Sequence, residues 1–144
     1  MTQMNSRFRY MYDANPLIQL RPRGQAPMTV VGSTDTAVLP LDLSTGYWTN
    51  GGELADQGFA VVANVLAAKS SVGDETYKLD LVSTGGAVIA TTKVKAAGQY
   101  ILFVDVRTAH QADPTLNSIK LTATLAGTLP SLDFFAWLGK HLDD

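Results

Sequence analysis

Thirteen acidic residues, two histidines and no cysteine form the inventory from which this chain of 144 residues could build a reactive or metal-holding centre. Without cysteine there is no disulfide, no thiolate zinc site and no thiol nucleophile. His110 has Asp105 and Asp113 nearby in sequence, but with His141 the chain offers at most two imidazole ligands, and a structural zinc takes four N or S ligands. Asp74 and Glu75, with Asp35, Asp42 and Asp56, are the carboxylates that would make a calcium site if they met at one end of the fold. They do not form a run of alternating ligands around a central glycine. No Gly-X-Ser-X-Gly elbow presents a serine nucleophile, and Gly51-Gly52 and Gly85-Gly86 lack the lysine and the strand-to-helix setting of a phosphate cradle. Glu53 and Glu75 are the only glutamates, and nothing singles out a carboxylate pair for glycoside hydrolysis. The inventory points away from an enzyme and implies no metal and no cofactor.

Binding is better represented than catalysis. Four of the five arginines, Arg7, Arg9, Arg21 and Arg23, lie in the first 23 residues, and residues 1–27 carry a balance of +3. The remainder carries −5, which gives the chain its net −2. Prolines at 16, 22 and 27 disfavour a continuous helix and a central strand, so residues 1–27 read as an extended basic arm. In an extended chain, Arg7-Phe8-Arg9-Tyr10-Met11-Tyr12 puts Phe8, Tyr10 and Tyr12 on one side and the arginines on the other. Three readings fit that pattern. It can be an ordinary edge strand or terminus; it can be a partner-binding arm, since aromatics and arginine concentrate binding energy; or it can track a nucleic acid. The acidic body and a sequence pI near 5.5 weigh against the last.

The elements that must carry these residues are strands. Residues 28–144 alternate apolar and polar positions between turn signals, which predicts one antiparallel β-sandwich domain. The expected strands are Thr36–Leu43, Phe59–Ala68, Thr76–Ser83, Ala87–Val94, Gln99–Val106, Ser118–Leu125 and Leu132–Leu138. Pro40 suits an edge strand. Phe59–Ala68 is apolar on both faces apart from Asn64, which suits a central strand, although a helix from Asp56 is an open alternative for such a run. Ser44–Gly58 and Thr108–Asn117 read as loops, Ser83–Gly86 as a hairpin turn, and Lys95–Gln99 as a second hairpin with Gly98 at positive φ. The longest apolar run has ten residues against about 20 for a membrane helix, and Met1–Tyr12 has no apolar leader core, so a soluble protein outside the membrane is expected. Charged residues make up 17% of the chain, below the ~25% usual for globular domains, as expected for a surface that is partly covered in an assembly.

The segments Leu17-Ile18-Gln19-Leu20-Arg21 and Thr36-Ala37-Val38-Leu39-Pro40-Leu41-Asp42-Leu43 precede a glycine-rich loop and compact Ala/Val/Thr-rich strands. With the terminal Phe134-Phe135-Ala136-Trp137-Leu138-Gly139, this order resembles the capsid cement (decoration) proteins of tailed bacteriophages across most of residues 17–139. The resemblance implies a jelly-roll sandwich, a homotrimer, and attachment to the major capsid protein at threefold positions on the virion exterior. Arg7, Phe8, Arg9, Tyr10, Tyr12, Arg21 and Arg23 would then contact the shell or a neighbouring subunit. Phe134, Phe135 and Trp137 would contribute to a subunit interface or to a central strand. Two other readings stay open: a carbohydrate- or receptor-binding module with Tyr47, Trp48 and Tyr77 as a stacking platform, and a head or tail connector component.

Overall fold

In Thr76–Ser83 the residues Tyr77, Leu79 and Leu81 are buried, while Thr76 and Lys78 are exposed; this period of two is what a strand with one covered face requires. The same logic sets the other strands of the computed structural model, which describes residues 19–40 and 58–139. The strands are β1 (Gln19–Arg21), β2 (Gly32–Asp35), β3 (Leu39–Pro40), β4 (Gly58–Ala68), β5 (Thr76–Ser83), β6 (Val88–Val94), β7 (Gly98–Asp105), β8 (Ser118–Ala126) and β9 (Leu132–Gly139). The expected loop at Ser44–Gly58 up to residue 57, residues 41–43 of the first expected strand, His141 and the arm up to residue 18 lie outside the described residues, and Gly58 already belongs to β4.

Two antiparallel sheets face each other. The first has the order β1-β9-β4-β7, and the second the order β2-β8-β5-β6, with β3 also on β8. Gly32–Asp35 pair with Thr122–Leu125, and Leu39 and Pro40 with Ile119 and Ser118, so β2 and β3 form one interrupted strand along the same edge of β8. Pro40 falls on that edge, where its missing N–H breaks no inner ladder. Leu79, Leu81, Leu121 and Ala123 from one sheet pack against Val61, Ala63, Phe134 and Ala136 from the other, forming the core. In β4, Ala60, Val61, Val62 and Ala63 are all fully buried, the expected signature of a central strand with both faces covered; the helical alternative is not adopted.

Three expectations require correction. Of the first expected strand, Thr36–Val38 are not strand but the break between β2 and β3, and the pairing with β8 starts earlier, at Gly32. The stretch read as the end of a strand and the start of a loop contains the helix α1 (Val106–Ala112). Asp105 precedes it as a cap, its carboxylate accepting from the Thr108 hydroxyl at 3.2 Å, and Pro114 follows two residues after its end. Lys95–Gln99 is a turn but not a hairpin: β6 and β7 belong to different sheets, so the turn carries the chain across the sandwich. Tyr100 pins it, its hydroxyl donating to the Ala96 carbonyl at 2.8 Å and accepting from the Lys95 and Ala96 amides. Of the successive strands, β5 and β6 alone form a paired hairpin among the described residues, closed by the Ser83 amide donating to the Ala87 carbonyl.

Candidate interaction surfaces

The chain enters the sandwich through β1, which pairs with β9, and returns to β9 at Met28, whose amide and carbonyl both bond to Leu132 at 2.9 Å. The described end of the basic segment is therefore held against sheet 1. Arg21 is taken up inside it. Its Nε donates to the Phe134 carbonyl at 2.9 Å, Nη1 to Gln25 Oε1 at 2.8 Å and Nη2 to the Ala26 carbonyl at 2.6 Å. The guanidinium lies 5.0 Å from the centroid of the Phe134 ring, and the residue is 7% exposed. Burial lowers its pKa from the ordinary value, with Asp133 acting in the opposite sense. An arginine so engaged holds the Pro22–Pro27 bend and has little surface left for a partner. Arg23 is exposed, with its guanidinium 5.5 Å from the Phe135 ring centroid. Arg7, Phe8, Arg9, Tyr10 and Tyr12 lie outside the described residues.

The aromatic segment of β9 is also resolved into distinct roles. Phe134 points into the core between the sheets, whereas Phe135 and Trp137 project from the opposite face and stack with centroids 5.6 Å apart beside Val62. Their exposures are 2%, 3% and 2%, so none of the three offers surface to a neighbouring subunit. This burial fits the central-strand alternative, since β9 lies between β1 and β4. Tyr77 is likewise unsuited to a sugar platform, because it is buried and its hydroxyl bridges Lys69 and Ser131, donating to the former's carbonyl and accepting from the latter's amide. Tyr47 and Trp48 are outside the described residues.

The two outer faces differ in chemistry. On sheet 2, hydroxyls and charges satisfy one another across strands. Thr122 and Lys120 donate to Asp35 at 2.7 and 2.9 Å, Thr91 donates to Asp80 at 2.5 Å, and Ser33 bonds Thr124 at 3.1 Å. The Lys120 and Thr122 bonds lower the Asp35 pKa. On sheet 1, Ile101 and Phe103 of β7 are exposed apolar side chains, joined by Val88 of β6. Beside them a groove of about 300 Å³ runs between β6, β7 and α1.

The acidic residues serve the loops. Asp74 accepts from the amide and hydroxyl of Thr128, which holds its carboxyl below the ordinary range, and Glu75 accepts from the Val72, Gly73 and Leu129 amides. Asp113 is a second clamp, which sequence reasoning missed. One of its oxygens accepts from Ser83 Oγ and the Gly85 amide, and the other from the amide and hydroxyl of Thr115. The Asp113-Pro114-Thr115 turn was readable in sequence; the contact to Ser83, 30 residues away, was not. Among the described residues, no three carboxylate or imidazole groups converge on a point that could hold a metal, and no helix is long and apolar enough to cross a membrane. No protein-family model matches the chain, and no curated protein is detectably similar to it in sequence.

Proposed function

We propose that this protein is a non-enzymatic structural component that binds the outside of an icosahedral phage shell and stabilises the assembled state, acting as a jelly-roll homotrimer at threefold positions. The supporting observation is the interleaving of the strands. With β2 and β3 counted as one, the described strands run 1-8-3-6 in one sheet and 2-7-4-5 in the other, an interleaving that supports the jelly-roll reading. The two outer parts of the segment that resembles cement proteins, around Gln19–Arg21 and Phe134–Gly139, are neighbours in that order. A ligand of the assembled shell adds its binding free energy to the assembly and not to separated subunits, so no catalysis is required. Several weak contacts presented by one trimer hold far more firmly than one.

Sedimentation with empty shells tests the reading. The protein is expected in the pellet at micromolar concentration, and decorated shells are expected to melt at higher temperature than bare ones. Protein that stays in the supernatant with intact shells excludes it.

A further inference from the structure

We infer that the outer corner of sheet 2, where β5, β6 and the β6–β7 turn meet, is a binding surface for an extended acidic segment of another protein, held by Lys78, Lys93 and Lys95. Residues 28–144 carry −5, yet this corner turns three ammonium groups outward. Tyr77, Leu79 and Val94 are buried, so the alternation places Lys78, Lys93 and Lys95 on the outer side, where all three are exposed. Lys78 and Lys93 stand directly opposite each other in the β5–β6 ladder. Opposed positions hold their Cβ atoms about 5 Å apart, where like charges destabilise the pair. Asp80 answers one of these charges: one oxygen lies 3.4 Å from Lys78 Nζ, and the other accepts from the Thr91 hydroxyl. Lys93 and Lys95 have no acidic partner among the described residues. Asp74 and Glu75, just before β5, direct their carboxylates to Thr128 and Leu129 of the β8–β9 connection.

The spacing selects an extended peptide. Lys93 and Lys95 are two residues apart on one side of the chain, about 6.6 Å, which is also the distance between acids at every second position of an extended segment. Lys78 reaches the same line from the neighbouring strand, about 4.8 Å away. The outward positions Thr76, Lys78, Asp80, Thr91 and Lys93 include no arginine and no aromatic ring on which a nucleobase could stack. The acidic remainder of the body opposes a long polyanion, whereas a short acidic stretch ends within the corner. A lysine on an edge strand also guards it against pairing. That role asks for a charge on β6 alone and leaves the opposition of Lys78 and Lys93 unexplained. The inference does not depend on the shell reading: peptide binding succeeds or fails whatever sedimentation with shells returns.

The probe is a fluorescein-labelled peptide of alternating glutamate and serine, titrated with the full chain and read by anisotropy. Saturable binding is expected below about 1 mM protein at about 20 mM salt and is lost at about 0.5 M salt. Lys93→Glu with Lys95→Glu should weaken it at least about tenfold, and the charge-matched Lys69→Glu with Lys120→Glu less than about threefold, with both variants melting as the wild type does. The unaltered chain gives a readout free of variant folding: the peptide should slow acetylation of Lys78, Lys93 and Lys95, followed by mass spectrometry, and leave that of Lys69 and Lys120 unchanged. Absence of saturable binding by the wild type, equal weakening by the two double variants, or uniform protection of the lysines overturns the inference. Tighter binding of a single-stranded oligonucleotide of the same charge than of the peptide does the same.

Discussion

Asp113 shows how much a single side chain can organise without any counter-ion. Its four donors are neutral, and the hydrogen bond from Ser83, followed by those from Thr115 and the Gly85 amide, holds its carboxyl far below the usual carboxylate range. A folded pKa below the unfolded one contributes stability that is complete above the unfolded value of about 4 and is lost as pH falls through the folded one. Asp113→Asn separates charge from shape. Each carboxylate oxygen takes a backbone N–H, from Gly85 on one side and Thr115 on the other, so an amide nitrogen meets a donor in either orientation. The variant should melt several degrees lower at pH 7, with the gap narrowing in acid as the wild type protonates; a gap independent of pH would refute the account. Gly127 is a second position where one atom decides. Its φ is +108°, and a Cβ there would lie 2.6 Å from Glu75 Cα and 2.9 Å from the Asp74 carbonyl oxygen. Gly127→Ala should cost about 2 kcal/mol or more in chemical denaturation, since backbone on both sides must move.

At the scale of elements, alternation made the strands legible, and the connections between them were not. Thr76–Ser83 was readable to the residue, and Phe59–Ala68, Ser118–Leu125 and Leu132–Leu138 to within one at an end, because Leu, Val, Ile and Phe on one face need a core to enter. Where each strand goes next is decided by the far sheet. Gly98 announces a turn between β6 and β7, but a turn residue carries no information on whether the chain doubles back or crosses the sandwich. The helix α1 was hidden for a related reason: seven residues show less than two turns of periodicity, and only the Asp105 cap and Pro114 marked its ends. Two tyrosines hold the crossings that sequence could not place. Tyr77 ties the β4–β5 connection to the β8–β9 connection from a buried position, and Tyr100 secures the β6–β7 turn from a half-buried one. Tyr77→Phe should therefore cost about 1–3 kcal/mol, because the Ser131 amide loses its partner in a partly buried site; Tyr100→Phe should cost under about 1 kcal/mol, because water can replace the hydroxyl. Equal losses in urea titrations would contradict this ranking.

For the whole molecule, the decisive quantity is where its few positive charges stand. Composition made the basic segment 1–27 visible but could not divide its arginines, since burial of a guanidinium leaves no trace in sequence. Arg21 belongs to the sandwich, with three hydrogen bonds and the Phe134 ring, whereas Arg23 is exposed. Charge reversal should divide them accordingly. Arg21→Glu places a carboxylate against the carbonyls of Phe134 and Ala26 and should destabilise the fold by about 3 kcal/mol or more, so a loss of shell binding in that variant reports unfolding and not contact. Arg7→Glu combined with Arg9→Glu is the cleaner probe of the proposed function. An exposed ion pair contributes only ~0–1 kcal/mol, but two reversals in each copy of a multivalent binder multiply through avidity, so shell occupancy should fall at least about tenfold. On the proposed reading the two arginines serve the shell and not the fold, so the melting temperature of the isolated protein should stay within about 2 °C of wild type. Full occupancy by the double variant would remove the arginines from the binding reaction, and a large drop in melting temperature would assign them to the folded body alongside Arg21.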